Sequence, residues 1–340
     1  MSVYTYGTIL VLSLGASWYQ WTKPAETISG AEVVLLYGEK TTIEGVSWDS
    51  EKDSVTIEMK KDPQGSYLWA TYTDKKKEED ATKEFKVGKD GEKLLTSLSP
   101  LVAIRSLTNL TPEKLEELGL KESKSSMSVT RKGKTTTFDI GNEAYGTKDL
   151  YVRNQETQEV FLLDDAKIRS LKFARTRLPD RKLWSFEKTK ITGMTINTSI
   201  LEQSQSLVLE NKNWQDKKQS KWIKQSQPEA DNTQITNWVT KFLRSTNSSY
   251  ALNIKVADLT EAFSVDLTAD GASAEKLTIY HDAEKKNWYA NTTHSRGMVK
   301  LIKQSITGLS DDLPSLFSTS TEEPKETTSP QPEATTPEKK

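Results

Sequence analysis

The sequence predicts an α+β protein: two tandem homologous modules of antiparallel meander sheet, each with one or two helices, preceded by an N-terminal transmembrane helix. Three features point there. The run 43–186 is echoed landmark by landmark by the run 191–317, the apolar residues of both runs alternate as in half-buried strands, and residues 2–22 carry no charge.

The uncharged start comes first in the chain. Its apolar centre, Ile9-Leu10-Val11-Leu12-Ser13-Leu14, lies between Tyr4 and Tyr6 on one side and Trp18, Tyr19 and Trp21 on the other, as aromatic belts bracket a membrane span. About 20 residues suffice to cross a bilayer. Two alternatives stay open, because the start lacks lysine and arginine and Gly7 and Gly15 dilute its apolarity. One is a cleaved signal peptide with Leu14-Gly15-Ala16 as the small-residue site, the other a buried structural segment. Residues 1–22 are thus read as a membrane anchor and 23–42 as a linker.

Each module opens on a strand built around a glycine, Ile43-Glu44-Gly45-Val46-Ser47-Trp48 in the first and Ile191-Thr192-Gly193-Met194-Thr195-Ile196 in the second. Val55, Ile57 and Met59 mark the next strand, matched by Leu207 and Leu209, and a third strand carries Trp69 or Trp222. A helix follows, with Leu94, Leu95, Leu98, Leu101 and Val102 at spacings of three and four, matched by Ile235, Trp238, Val239, Phe242 and Leu243. Asp90 and Asp231 are its expected caps. Pro100 predicts a kink or an early stop in the first of these helices, since proline removes a donor and clashes with the preceding turn.

The back half of each module is again strand-rich. Met127 to Thr130 and Thr136 to Ile140 face each other across the turn Arg131-Lys132-Gly133-Lys134, as Phe263 to Leu267 and Leu277 to Tyr280 do across Ala269-Asp270-Gly271-Ala272. Then Leu150-Tyr151-Val152 matches Trp288-Tyr289-Ala290, and Val160-Phe161-Leu162-Leu163 matches Val299-Lys300-Leu301-Ile302. A short helix closes each module on Leu183-Trp184-Ser185-Phe186 or Leu313-Pro314-Ser315-Leu316-Phe317. The offset between partners falls from 148 at Ile43/Ile191 to 131 at Phe186/Phe317, so the first copy is longer by 17 residues. The charged run from Asp74 to Asp80 is the expected place for that surplus, because surface loops absorb insertions at little entropic cost.

At 340 residues, 34% hydrophobic and with nine tryptophans, the chain can bury two cores of ordinary size. Its 47 basic residues against 48 acids create no field favouring nucleic acid. It has no cysteine, hence no disulfide or thiol chemistry, which is compatible with any compartment including a periplasm. Residues 318–340, rich in Ser, Thr, Pro, Glu and Lys, hold too little apolar surface to fold and are expected to be a disordered tail.

No motif gathers chemistry. Gly133-Lys134-Thr135 resembles the end of a phosphate loop, but Ser128 stands where its first glycine belongs, and the residues join two strands rather than a strand and a helix. Gly38-Glu39-Lys40-Thr41 fails similarly. The two histidines, His281 and His294, match no ligand spacing and supply few imidazole bases, and no nucleophile elbow is present. Asp164-Asp165 and Asp311-Asp312 sit at or in short helices, where acids suit the dipole. Asn109, Asn197, Asn247 and Asn291 open glycosylation sequons.

Leu118-Gly119-Leu120, Phe138-Asp139-Ile140-Gly141, Leu150-Tyr151-Val152, Val160-Phe161-Leu162 and Leu178-Pro179-Asp180-Arg181-Lys182-Leu183-Trp184-Ser185-Phe186 together resemble the uncharacterised bacterial family catalogued as domain of unknown function 4340, over roughly residues 40 to 250. That resemblance implies a single N-terminal membrane anchor, an extracytoplasmic repeat domain and association with ABC transporter components, including those similar to gliding-motility auxiliary proteins. It carries over no catalytic residue. The charge-poor start and the long Thr/Pro-rich tail depart from the family pattern.

The expectation is therefore a non-enzymatic accessory or binding protein, single-pass in the inner membrane with its bulk on the periplasmic side, auxiliary to an ABC-type transporter or envelope assembly. No catalytic, metal-ligating or cofactor-binding residue is assigned, and neither nucleic acid nor nucleotide is an expected partner. One rival is an envelope polysaccharide-binding protein stacking sugars on Trp69, Trp214 or Trp288. Another is a hydrolase using His281 or His294.

Overall fold

The computed structural model describes residues 32–79, 81–198, 204–216, 220–230, 232–270 and 272–317. The anchor at 1–22, residues 23–31 of the linker, the expected cap Asp231 and the tail at 318–340 lie outside them; the N-cap of the second long helix is Asn232. The protein is mostly antiparallel β-sheet with a few helices. No helix among the described residues is long and apolar enough to cross a membrane.

In chain order, the first part runs β1 (Val33–Leu36), β2 (Ile43–Ser50), β3 (Asp53–Asp62), β4 (Gly65–Asp74), β5 (Thr82–Lys86), α1 (Lys89–Ser97), β6 (Leu101–Ala103), β7 (Arg105–Leu107), α2 (Pro112–Glu117), β8 (Ser125–Arg131), β9 (Lys134–Glu143), β10 (Leu150–Asn154), β11 (Val160–Leu163), α3 (Arg169–Lys172) and α4 (Ala174–Arg177). It continues with β12 (Ile191–Thr198), β13 (Gln205–Lys212), β14 (Lys221–Lys224), α5 (Thr233–Phe242), β15 (Asn247–Tyr250), β16 (Thr260–Ala269), β17 (Ala272–Asp282), β18 (Asn287–Thr292), β19 (Gly297–Leu301) and α6 (Lys303–Phe317).

The nine-stranded sheet has the order β5-β4-β3-β2-β8-β9-β10-β11-β7, and the eight-stranded sheet β14-β13-β12-β16-β17-β18-β19-β15. Remove β5 and the two orders coincide strand for strand. They share a detail as well: the register slips between Ile43 and Gly45 where β2 meets β8, and between Ile191 and Gly193 where β12 meets β16. Such a bulge bends the strand and increases its twist. β5 follows the charged run from Asp74 and has no counterpart in the second sheet.

By packing, the chain divides into two compact units. One comprises the described residues up to Lys182 together with Asn247–Ile254 and Ser295–Val299; the other comprises Leu183–Thr246, Lys255–His294 and the described residues from Lys300. In the first, alternation sorts each strand into two faces. Val46, Trp48, Val55, Ile57, Ala70, Tyr72, Met127, Val129 and Phe138 point into the core, where Leu94, Leu95 and Leu98 from α1 and Ile168, Leu171 and Ala174 from the α3 region cover them. The opposite face is short and hydroxylated, with Ser128 bonded to Thr137 at 2.9 Å and Thr130 to Thr135 at 2.9 Å. In the second unit Trp238 of α5 stacks on Phe242 at 5.3 Å and donates its indole N–H to the carbonyl of Leu309 in α6 at 2.9 Å.

Local departures from the sequence expectation have physical reasons. The first helix stops at Ser97, because a residue before proline is pushed out of the helical region and Pro100 cannot donate. Leu101 and Val102 leave it for β6, which pairs with β1 through Leu36↔Leu101 and Val34↔Val102. Gly88, not Asp90, is its N-cap, and Asp90 lies in the first turn, where its charge still suits the dipole. The turn between β8 and β9 tightens to Lys132 and Gly133 at φ 47° and 73°, the paired positive φ of a two-residue hairpin.

Candidate functional site

The motif Leu178-Pro179-Asp180-Arg181 joins polar groups from three distant segments of the first unit. After α4 the chain turns back beside the end of β5. Gly88 donates to the carbonyl of Leu178 at 2.8 Å, Val87 bridges to Pro179, and Asp180 donates to the carbonyl of Lys86 at 2.9 Å. A Cβ at Gly88 would come within 3.0 Å of the Asp180 Cα, a tight contact that glycine avoids.

Asp180 then bonds in several directions. Its carboxylate stands 3.5 Å from the Lys86 ammonium, both side chains under 15% exposed (14% and 12%), and accepts from the Lys182 N–H at 3.1 Å. Its main-chain carbonyl accepts from the Asn247 side-chain amide at 2.9 Å and from the Tyr250 hydroxyl at 3.3 Å. Asn247 also donates its own N–H to the Arg181 carbonyl at 3.1 Å, and the Arg181 guanidinium donates to the Ser248 carbonyl. β15 is thereby fastened to the motif.

An aromatic cluster closes over this knot. The Tyr250 ring meets Trp69 edge-on at 6.1 Å and Phe85 at 6.4 Å. Trp69 donates its indole N–H to Glu84 at 3.0 Å, and Lys60 lies 5.2 Å from its ring. Beside it Tyr67 carries the Arg296 guanidinium at 5.3 Å, and Arg296 pairs with Asp62 at 3.0 Å. Burial, and after it the nearby Asp180 charge, push the Tyr250 phenol well above its ordinary pKa. It therefore stays a neutral hydrogen-bond donor. Lys86, Asp180, Asn247 and Tyr250 hold one another, with no imidazole or thiol among them. The arrangement locks distant segments of the chain together.

Other ionic clusters are likewise turned inward. Asp165, 3% exposed, binds Arg169 at 2.6 Å and Lys172 at 2.8 Å, and Lys172 reaches Glu143 at 3.2 Å. Burial would raise the Asp165 pKa, but the hydrogen bonds and charges of Lys172 and Arg169 outweigh it and hold the carboxyl below its usual range. Asp139 accepts from Arg153 at 2.6 Å and from Gln155 at 2.6 Å. Among the described residues Arg131 finds uncharged oxygens: the carbonyls of Tyr37, Glu39 and Leu98 and the hydroxyls of Thr42 and Ser99. Burial lowers its pKa.

The residues singled out from sequence are dispersed. His281 lies on β17 with its ring 4.4 Å from that of Trp288, and His294 in the turn between β18 and β19. Among the described residues no group of His, Asp and Glu could hold a metal ion. Gly133 donates its N–H to the Glu44 carboxylate at 3.0 Å, an anion of the protein's own in a hairpin turn. Asp164 caps the turn at Asp165, accepting from the Ala166 N–H at 2.8 Å, whereas Asp311 and Asp312 fall in the middle of α6. Trp69 and Trp288 are each 7% exposed and belong to the interior; Trp214 is half-buried in the turn after β13. Asn247 is buried, so its sequon is closed in the folded chain.

Lys86 and Tyr250 had no sequence signal of their own, since each is one polar residue in an ordinary strand, and the sequon at Asn247 pointed to a surface site rather than to this contact. Only their partner, the Leu-Pro-Asp-Arg string, was visible. No curated protein and no solved structure matches the chain. One family model does, described as Domain of unknown function (DUF4340), over residues 92–266. That span covers more than half of the sequence and includes the locked motif with its β15 partners, and on it the chain belongs to the DUF4340 family.

Proposed function

We propose that this protein is a non-enzymatic, membrane-anchored accessory protein built from a duplicated scaffold. Residues 43–186 and 191–317 would be the two homologous modules, and residues 1–22 a single transmembrane helix in the inner membrane. The bulk of the chain would lie on the extracytoplasmic side, serving an ABC-type transporter or another envelope assembly. The observation carrying this reading is that the scaffold repeats, in strand order and in bulge position, while the carboxylates of Asp139, Asp165 and Asp180 are spent on internal bonds. A repeated framework without gathered chemistry suits binding. An anchor adds to it by raising the effective concentration near a membrane partner.

The test is fractionation followed by copurification of the full chain in mild detergent. The expected result is an alkali-resistant membrane fraction from which the chain brings down an integral membrane protein. A chain recovered in the soluble fraction, or one that brings down no membrane protein, overturns the reading.

A further inference from the structure

Between Asp165 and Pro179 the chain carries Lys167, Arg169, Lys172, Arg175 and Arg177 and no acid, a local excess in a protein of net charge -1. The segment folds as α3 and α4, which meet at Phe173. Its inner side, Ile168, Leu171, Ala174 and Leu178, is consumed by the core. Phe173, Arg175 and Arg177 are exposed and Lys167 is half-buried. Phe173 is 52% exposed, and the Arg177 guanidinium lies 5.9 Å from its ring centroid. Arg169 and Lys172 are committed to Asp165, and Arg175 approaches Asp74 only to 3.8 Å. Lys167 and Arg177 have no carboxylate partner among the described residues.

We propose that this stripe, Lys167, Phe173, Arg175 and Arg177, is a docking surface for anionic lipid headgroups, on which the first unit rests. The proposal builds on the membrane-anchored reading, and covalent geometry supports it. Residues 23–31, however they run, span at most about 30 Å, so an anchor ending at Thr22 keeps the first unit within reach of the bilayer surface. A guanidinium fork matches a phosphodiester, and an aromatic ring between cations inserts at the headgroup boundary. A folded acidic partner would instead need a pocket shaped to Phe173, and nucleic acid would need a broader basic field.

Because the chain has no cysteine, Phe173→Cys offers a unique attachment point for an environment-sensitive fluorophore. The labelled full chain is reconstituted into vesicles of phosphatidylcholine alone or mixed with phosphatidylglycerol. The expected result is a blue-shifted emission only with phosphatidylglycerol, reversed near 1 M salt, where the Debye length is about 3 Å, and abolished by Lys167→Gln with Arg177→Gln. Unaltered thermal unfolding of that double variant shows that its fold is kept. Equal emission in both vesicle types, or a shift that survives the double substitution, overturns the proposal. Flotation with phosphatidylcholine reports separately on the anchor: a chain that fails to float removes the anchored reading, whereas the charge-dependent shift tests the stripe alone.

Discussion

Asn247 donates its side-chain amide to the main-chain carbonyl of Asp180, a hydrogen bond of 2.9 Å between residues 67 apart in sequence. The donor is the half of the amide that matters, since the Asn247 Oδ1 is buried with no partner among the described residues. Asn247→Ala is expected to destabilise the protein by about 1–3 kcal/mol, from the lost hydrogen bond and the cavity left by the buried amide. Asn247→Asp should cost more, because it removes the donor and sets a carboxylate against the Asp180 carbonyl. Urea unfolding of the full chain measures both, and the opposite ranking would overturn this account of the lock.

Gly88 and Gly308 should respond oppositely to alanine. At Gly88 a new Cβ would press on the Asp180 backbone at 3.0 Å, where nothing flexible can yield, and a loss of about 1–3 kcal/mol is expected. At Gly308, exposed within α6, a new Cβ meets nothing within 4 Å. Gly308→Ala should therefore stabilise by about 0.5–1 kcal/mol through helix propensity. Denaturant midpoints of the two variants decide it.

The strands that sequence made legible are those with one face in the core. β2 and β12 show this through Val46 and Trp48, and Met194 and Ile196, at alternate positions. β5 was hidden because Phe85 is its only buried residue among polar neighbours. Leu101 and Val102 had helical spacing to Leu94 and Leu98, yet Pro100 separates the two pairs physically. The lock was hidden for another reason. Lys86, Asp180 and Tyr250 meet only after the chain has closed on itself, and no local period encodes which strand end will face which loop.

Asp165 predicts a pH dependence with a definite sign. Its pKa is depressed in the folded state, so its contribution is full above the ordinary carboxylate value of about 4 and is lost as pH falls through the depressed value. Asp165→Asn should lower stability at neutral pH, because Arg169 and Lys172 lose their buried partner, and should flatten the loss of stability below pH about 4. Thermal unfolding across pH for both proteins checks this. A variant with an unchanged acid limb would show that the depressed carboxyl lies elsewhere.

Arg131 is a cation held by neutral oxygens, and its replacement separates charge from geometry. The guanidinium joins three separate stretches: the loop at Tyr37 and Glu39, Thr42 beside β2, and the end of α1 at Leu98 and Ser99. The Leu98 carbonyl belongs to a helix C-terminus, where a positive charge is favourable. Lysine keeps that charge, but its compact ammonium lacks the fork that spans acceptors in three stretches. Were charge alone important, Arg131→Lys would unfold like the parent. The fork geometry instead predicts a loss of about 1–3 kcal/mol from acceptors left unsatisfied. It also predicts faster proteolytic cleavage at Lys40, because the loop would no longer be tied to the hairpin that carries residue 131. Limited trypsin digestion and urea unfolding of the same preparation test the two effects together, and loss of stability without faster cleavage at Lys40 would place the role of Arg131 at α1 alone.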